Sequence, residues 1–300
     1  MSQIFDALHQ SQDDRAGANP ARKFATAKEL LQAVEQVAEV STESASKVAR
    51  TNRWEPPRQF PPAKISLQPN NRLVCFSATE SLAAEKFRFL ATRLRHIQQK
   101  RTLKCVVITS SVPEEGKTMV AANLACSLAA GRQHVLLIEG DLRRPSLGQT
   151  LGLSDLPGLS QQLQSKLEYA SNIYSLEASG LCVLLAGDSH ANPFEFMEAG
   201  KLSLLLDKLS QLFDWIVIDS PPLLPLADTS LWVRLAEAVI LVARPGVTTK
   251  RQLQRTLEAI EQPKLLGAVL NASIEAANNT YYHHYAARST ASLLPVAAQK

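Results

Sequence analysis

Apolar positions in this 300-residue chain fall into two kinds of run. Short unbroken aliphatic stretches occur at Cys105–Thr109, Val135–Ile138, Leu181–Ala186, Trp215–Ile218, Ala238–Ala243 and Leu265–Leu270. Their length and β-branched content predict buried strands. Leu73–Phe76 predicts one more short strand. Between them lie stretches whose apolar residues recur every three or four positions, the period of a helix with one packed face. Thr79–Gln99 is the strongest, with Phe87, Leu90, Leu94 and Ile97 in one stripe. Helices are also predicted from Gly116 through Ala130 with a stop at Gly131, over Leu159–Leu167, from Asn192 to about Phe213, and over Thr248–Glu261. Strands alternating with helices imply a doubly wound α/β domain with a mostly parallel sheet, because right-handed crossovers place helices on both faces.

The ends of the chain read differently. Met1–Ser11 has Ile4, Phe5 and Leu8 on one side of a short turn, and Gln12–Arg22 is polar. A helix is predicted over Lys23–Arg50, with Leu30, Leu31, Val34 and Val37 at helical spacing; its partner is the core or another protein. Arg53–Pro62 is a proline-rich linker, stiff because proline fixes φ. The chain thus divides into an extension over 1–71, a domain over 72–275 and a tail over 276–300. The tail segment Asn278–Ser289 has no period and holds Tyr281, Tyr282 and Tyr285, three of the five tyrosines. Taken alone, that cluster favours an aromatic patch packed on the domain or on a partner.

A net charge of +4 is too small to argue for nucleic acid. Cys75, Cys105, Cys126 and Cys182 form no C-x-x-C pair, which favours free thiols in a reducing compartment. No uninterrupted apolar run is long enough to span a bilayer. These features point to a cytoplasmic protein.

The chemistry gathers at three strand ends. After Cys105–Thr109 comes a turn, then Gly116-Lys117-Thr118 opening a helix, the setting of a phosphate-binding loop. Backbone N–H groups at a helix N-terminus favour anions. Ser111, Glu115, Gly116, Lys117, Thr118 and Met119 are the candidate nucleotide-holding positions. Ser111 stands where the motif has its first glycine, and Glu114 puts a carboxylate beside the phosphate. The second strand ends in Glu139-Gly140-Asp141 and the third in Asp219-Ser220-Pro221-Pro222. Ligands of open α/β sheets sit at such carboxyl ends. One lysine, one hydroxyl and three carboxylates aimed at one crevice predict a site for ATP and Mg²⁺.

VLLIEGDLRRP and IVIDSPP resemble the second and third motifs of the bacterial tyrosine kinases of polysaccharide biosynthesis, over about Arg72–Tyr285. The resemblance implies an autokinase. Lys117 would contact the β- and γ-phosphates; Thr118, Asp141 and Asp219 would hold Mg²⁺; Glu139 would take the tyrosine proton. Asn271, after the last strand, would face the adenine. The resemblance also implies that Tyr281, Tyr282 and Tyr285 are phosphorylated by a neighbouring subunit. Glu85, Arg88 and Arg95 would join subunits in a ring, Ala91 replacing the motif's last arginine; a solvated charged face is the plainer reading of that stripe. A membrane-embedded polysaccharide chain-length regulator is the implied activator. Two rival readings remain at this stage: a positioning ATPase, against which Val112 stands where a second lysine is required, and a nucleotide-binding regulator with little transfer activity.

Overall fold

In a computed structural model the apolar runs assemble into one eight-stranded sheet of order β1-β4-β5-β3-β6-β2-β7-β8. The described residues are 60–68, 71–164, 172–177, 179–188, 199–224 and 227–272. The strands are β1 (Pro62–Ala63), β2 (Cys105–Ser110), β3 (Val135–Glu139), β4 (Tyr174–Leu176), β5 (Leu181–Leu184), β6 (Trp215–Asp219), β7 (Ala238–Ala243) and β8 (Leu265–Leu270). All neighbours pair in parallel except β4 and β5. The doubly wound architecture is as the sequence predicts.

The helices are α1 (Val74–Ser77), α2 (Leu82–Lys100), α3 (Lys117–Ala129), α4 (Leu147–Leu151), α5 (Leu159–Gln164), α6 (Ala199–Leu212), α7 (Ala227–Leu235) and α8 (Lys250–Ala259). Alternation along each strand sorts its side chains between two cores. Val106, Ile108, Leu137 and Val217 join α2 and α3 on one side. Val107, Leu136, Ile138 and Ile218 join α6 and α7 on the other. Central strands buried on both faces explain why β2, β3, β6 and β7 are apolar at every position before their final residues.

Four local expectations are corrected. Leu73–Phe76 does not add a strand: Val74–Ser77 makes a single helical turn, because Cys75 N–H is taken by the Asn123 side chain of α3 at 3.2 Å. The linker enters the fold before its expected end. Phe60 stacks on Phe213 with ring centroids 5.7 Å apart, and Pro62–Ala63 adds an edge strand, the place in a sheet that tolerates proline. The short antiparallel β4 has no counterpart among the strands the sequence predicts. At the end of α3, the left-handed residue is Arg132 at φ 62°, not Gly131. Gly131 is needed for room instead: the Arg95 guanidinium lies where its Cβ would be.

Arg95 reaches that place to serve the helix end. Its Nη2 donates to the carbonyls of Ser127 at 3.0 Å and Leu128 at 2.9 Å, and its Nε donates to Gln133 at 2.9 Å. Carbonyls left over in a last helical turn favour a cation there. The expectation that Arg95 joins subunits is therefore corrected, since its guanidinium is turned into its own chain. Ala91 is completely buried against the core, so no longer side chain fits there without displacing α2. Glu85 and Arg88 stay exposed and pair with each other at 2.5 Å, Arg88 also donating to Thr79 O at 2.9 Å.

Candidate active site

Strand β6 lies between β2 and β3, and the register sets Asp219 opposite both Ile108 and Glu139. Three motif-bearing strands thus end at one level, which brings the phosphate loop, Glu139-Gly140-Asp141 and Asp219 together. The loop after β2 turns through Glu114 at φ 65° and Gly116 at φ 89°, then α3 begins at Lys117. A Cβ on Gly116 would collide with the Asn271 side chain.

Lys117 and Asp141 form an ion pair at 3.3 Å, with side chains only 14% and 6% exposed. Asp141 also accepts from Arg144 N at 3.0 Å. The Thr118 hydroxyl stands 3.2 Å from the Ser146 hydroxyl. Asp219 is buried, and its Oδ1 has no hydrogen-bond partner. Burial pushes its carboxyl up to about 7; the Lys117 charge and the Thr118 hydroxyl oppose this, while Glu139 and Asp141 add to it. A buried, unpartnered carboxylate oxygen costs stability unless something binds it. Beside a threonine hydroxyl, such an oxygen fits Mg²⁺, a hard cation that takes few protein ligands and shares its shell with phosphate and water. No group of three His, Cys, Asp or Glu among the described residues could hold a metal alone. Thr118 and Asp219 are therefore the first choice of protein ligands, and Asp141 becomes available when Lys117 leaves it.

Glu139 is placed otherwise than the resemblance implies. Its Oε1 accepts from Ser146 N and Leu147 N, both at 2.6 Å, and its Oε2 from Ala186 N at 3.0 Å. Burial raises its carboxyl, and these N–H bonds work against the rise. The side chain ties the start of α4 to the strand end after β5, so both of its oxygens are engaged by backbone donors. Glu139→Gln should consequently lower stability by roughly 2–3 kcal/mol, since an amide NH₂ then faces backbone donors. Urea unfolding checks this; a base with no structural duty would leave the midpoint unchanged.

The other loop residues brace one another. The Ser111 hydroxyl accepts from Thr256 at 2.9 Å, directed at α8, and its backbone does not take a positive φ, which is why serine replaces the motif's glycine. Buried Glu115 accepts from Val112 N at 2.8 Å and from the Thr248 hydroxyl. Glu114 is exposed, and its carbonyl accepts from Arg244 at 3.2 Å. Met119 packs against the core, leaving only its backbone for a nucleotide. Asn271 donates to Glu115 O at 2.9 Å, so its side chain supports the loop instead of facing an adenine.

Two residues escape a reading of the sequence. Asp228, buried at the start of α7, pairs with Arg143 and fixes the first arginine of Arg-Arg-Pro. Trp232 Nε1 donates to Gly140 O at 3.2 Å, and its ring leaves no space for a Cβ on Gly140. The acidic first turn of α7 is the one available signal for Asp228. The N-terminal helix, the start of the helix predicted from Asn192, and Tyr281, Tyr282 and Tyr285 lie outside the described residues.

The chain matches no family model. It is 31% identical over 215 residues to the tyrosine-protein kinase YwqD of Bacillus subtilis, covering 71% of this chain and 90% of that protein. The chain belongs to the bacterial tyrosine-protein kinase family. Among solved structures, the kinase domain of Escherichia coli tyrosine kinase ETK superposes with a TM-score of 0.63 at 28% identity, over 74% of this kinase and 84% of that chain. The chimerical protein CapA2B2 gives 0.64 at 30% identity, over 70% and 93%. The fold is accordingly that of a P-loop tyrosine kinase.

Proposed function

We propose that this family member is an ATP-dependent tyrosine autokinase that phosphorylates its C-terminal cluster, Tyr281, Tyr282 and Tyr285, in a neighbouring copy. The observation that carries the reading is the unpartnered Asp219 oxygen beside Thr118, with Lys117 held by Asp141 across the same crevice. When bound, Mg²⁺ supplies charge neutralisation to the transferring phosphate. Thr118 and Asp219 would hold it. The loop N–H groups and Lys117 bind the β- and γ-phosphates, and Lys117 exchanges its carboxylate partner for them. That exchange frees Asp141, the carboxylate best placed to accept the phenol proton as the tyrosine oxygen bonds to phosphorus and ADP departs. Glu139 then positions α4, and Ser146 with it.

The wider role proposed is control of exopolysaccharide polymerisation and export at the inner face of the plasma membrane. Among the described residues no helix is long and apolar enough to cross a membrane. A membrane-embedded chain-length regulator is the proposed activator, and exposed Glu85 and Arg88 the proposed contact between copies. Val112 binds Glu115 through its backbone and offers no lysine, which supports the kinase over a positioning ATPase.

Incubation with Mg-ATP followed by mass spectrometry should find phosphate on the three tail tyrosines. Replacing all three with phenylalanine should remove it. A Lys117→Met chain mixed with wild type should be labelled in trans. An unlabelled tail in the presence of the chain-length regulator would refute the autokinase reading.

A further inference from the structure

Asn123 of α3 holds both sides of the short helix α1. Its Oδ1 accepts from Cys75 N at 3.2 Å, and its Nδ2 donates to Arg72 O at 3.0 Å. Cys75 Sγ consequently rests on α3, 3.2 Å from Asn123 O and 3.2 Å from the Ser127 hydroxyl. Positions 123, 126 and 127 share one helix face. The remaining member of that face is Cys126, which belongs to the buried cluster that Cys75 packs against. Two thiols from segments far apart in sequence thus share one packed helix face, with Cys75 held on it by Asn123.

We propose that Cys75 is an oxidation site for hydrogen peroxide and that its product is an intramolecular disulfide with Cys126. The Cys75 thiolate attacks the peroxide; an S–O bond forms as O–O breaks, and the departing hydroxide is protonated to water. Cys126 sulfur then attacks the sulfenic acid; S–S forms, S–O breaks, and the Cys126 proton leaves with the hydroxyl as a second water. Two thiols are oxidised by two electrons, and the peroxide takes both. The adjacency that polarises the pair is also what lets the second step follow the first.

Access and acidity agree with this order. Cys75 is half-buried, while Cys126 is 6% exposed, so peroxide meets Cys75 first. Cys126 brings the Cys75 thiol down to about 7 against the opposing effect of burial, with the Ser127 hydroxyl and the Arg88 charge of α2 assisting. Burial pushes Cys105 well up and Cys182 to about 12, leaving those thiols protonated. The thiolate is the nucleophile, so oxidation should be selective.

The test uses the reduced full-length chain, without nucleotide, so it stands or falls independently of the kinase reading. Treatment with a slight excess of hydrogen peroxide, then alkylation and non-reducing peptide mass spectrometry, should give a Cys75–Cys126 linked pair that dithiothreitol reverses. Cys126→Ser should stop at a Cys75 sulfenic acid trapped by dimedone. Cys75→Ser should leave Cys126 alkylated in full. The proposal is overturned if wild type accumulates Cys75 sulfenic acid with no link to Cys126. It is equally overturned if Cys105 or Cys182 oxidises as fast as Cys75, or if the cross-link joins two chains. The wild-type measurement decides even where a variant folds poorly.

Discussion

Lys117→Met should reduce ATP-dependent tail phosphorylation by at least about 100-fold, and also destabilise the nucleotide-free protein. The first effect follows from removing the cation that contacts the transferring phosphate in a loop built for charge neutralisation, where one such contact is worth roughly 3 kcal/mol or more. The second follows from Asp141, which is left buried with the Arg144 N–H as its remaining donor among the described residues. Breaking a buried pair from one side costs about 3–5 kcal/mol at the upper end, less here because the pair sits at the mouth of the crevice. Adding Asp141→Asn to Lys117→Met should recover most of the stability and none of the phosphorylation. Radiolabel transfer and urea unfolding of the three proteins separate the two effects. A single variant that labels like wild type would remove Lys117 from the phosphate site.

Asp219→Asn should do the reverse, raising the stability of the nucleotide-free protein while abolishing phosphorylation. Ionised Asp219 has a buried oxygen that nothing satisfies, and its folded carboxyl lies near 7 against an ordinary value of 3.8. The sign follows from linkage. Below about pH 4 the group is protonated in both folded and unfolded chains and costs nothing extra. Between about 4 and 7 the unfolded chain ionises first, so stability falls as pH rises, and above 7 the full penalty remains. That penalty is on the order of 4 kcal/mol as an upper bound. The substituted amide is a poorer ligand but a cheaper burial, and each kcal/mol recovered shifts melting by about 2–4 °C in a domain this size. The expected result is a higher melting temperature for Asp219→Asn at pH 8, with the gap closing towards pH 5. Equal melting at pH 8 would mean that Asp219 is already satisfied.

Where function and packing draw on the same residues, the sequence shows its meaning clearly. β2, β3 and β6 are unbroken apolar runs because both faces are covered, and each stops at a polar residue because the crevice begins there. Lys117, Thr118, Asp141 and Asp219 are legible for that reason. Glu139 is legible as a site residue but not in its role, since the donors that engage it come from Ser146, Leu147 and Ala186, up to 47 positions away. Arg95 misleads for the same cause: helical spacing places it on the Glu85 stripe, while its length carries the guanidinium to the end of α3. β1 and β4 are invisible because strands of two and three residues bear no period.

The braced phosphate loop has a thermodynamic consequence. Arg244 and Asn271, at the ends of β7 and β8, hold the carbonyls of Glu114 and Glu115, and Thr248 holds the Glu115 carboxylate. Glu114 keeps a left-handed backbone conformation, which for a non-glycine residue stores about 1–2 kcal/mol. The curve that receives phosphate therefore exists before any phosphate arrives. On the proposed reading, nucleotide would meet a preformed receptor and lose little conformational entropy on association, and discrimination between di- and triphosphate would fall to Lys117 and Asp219 rather than to loop closure. Strands that contain none of the signature motifs thus hold the phosphate loop in shape, and a kinase fragment ending before Asn271 would lack one of its braces.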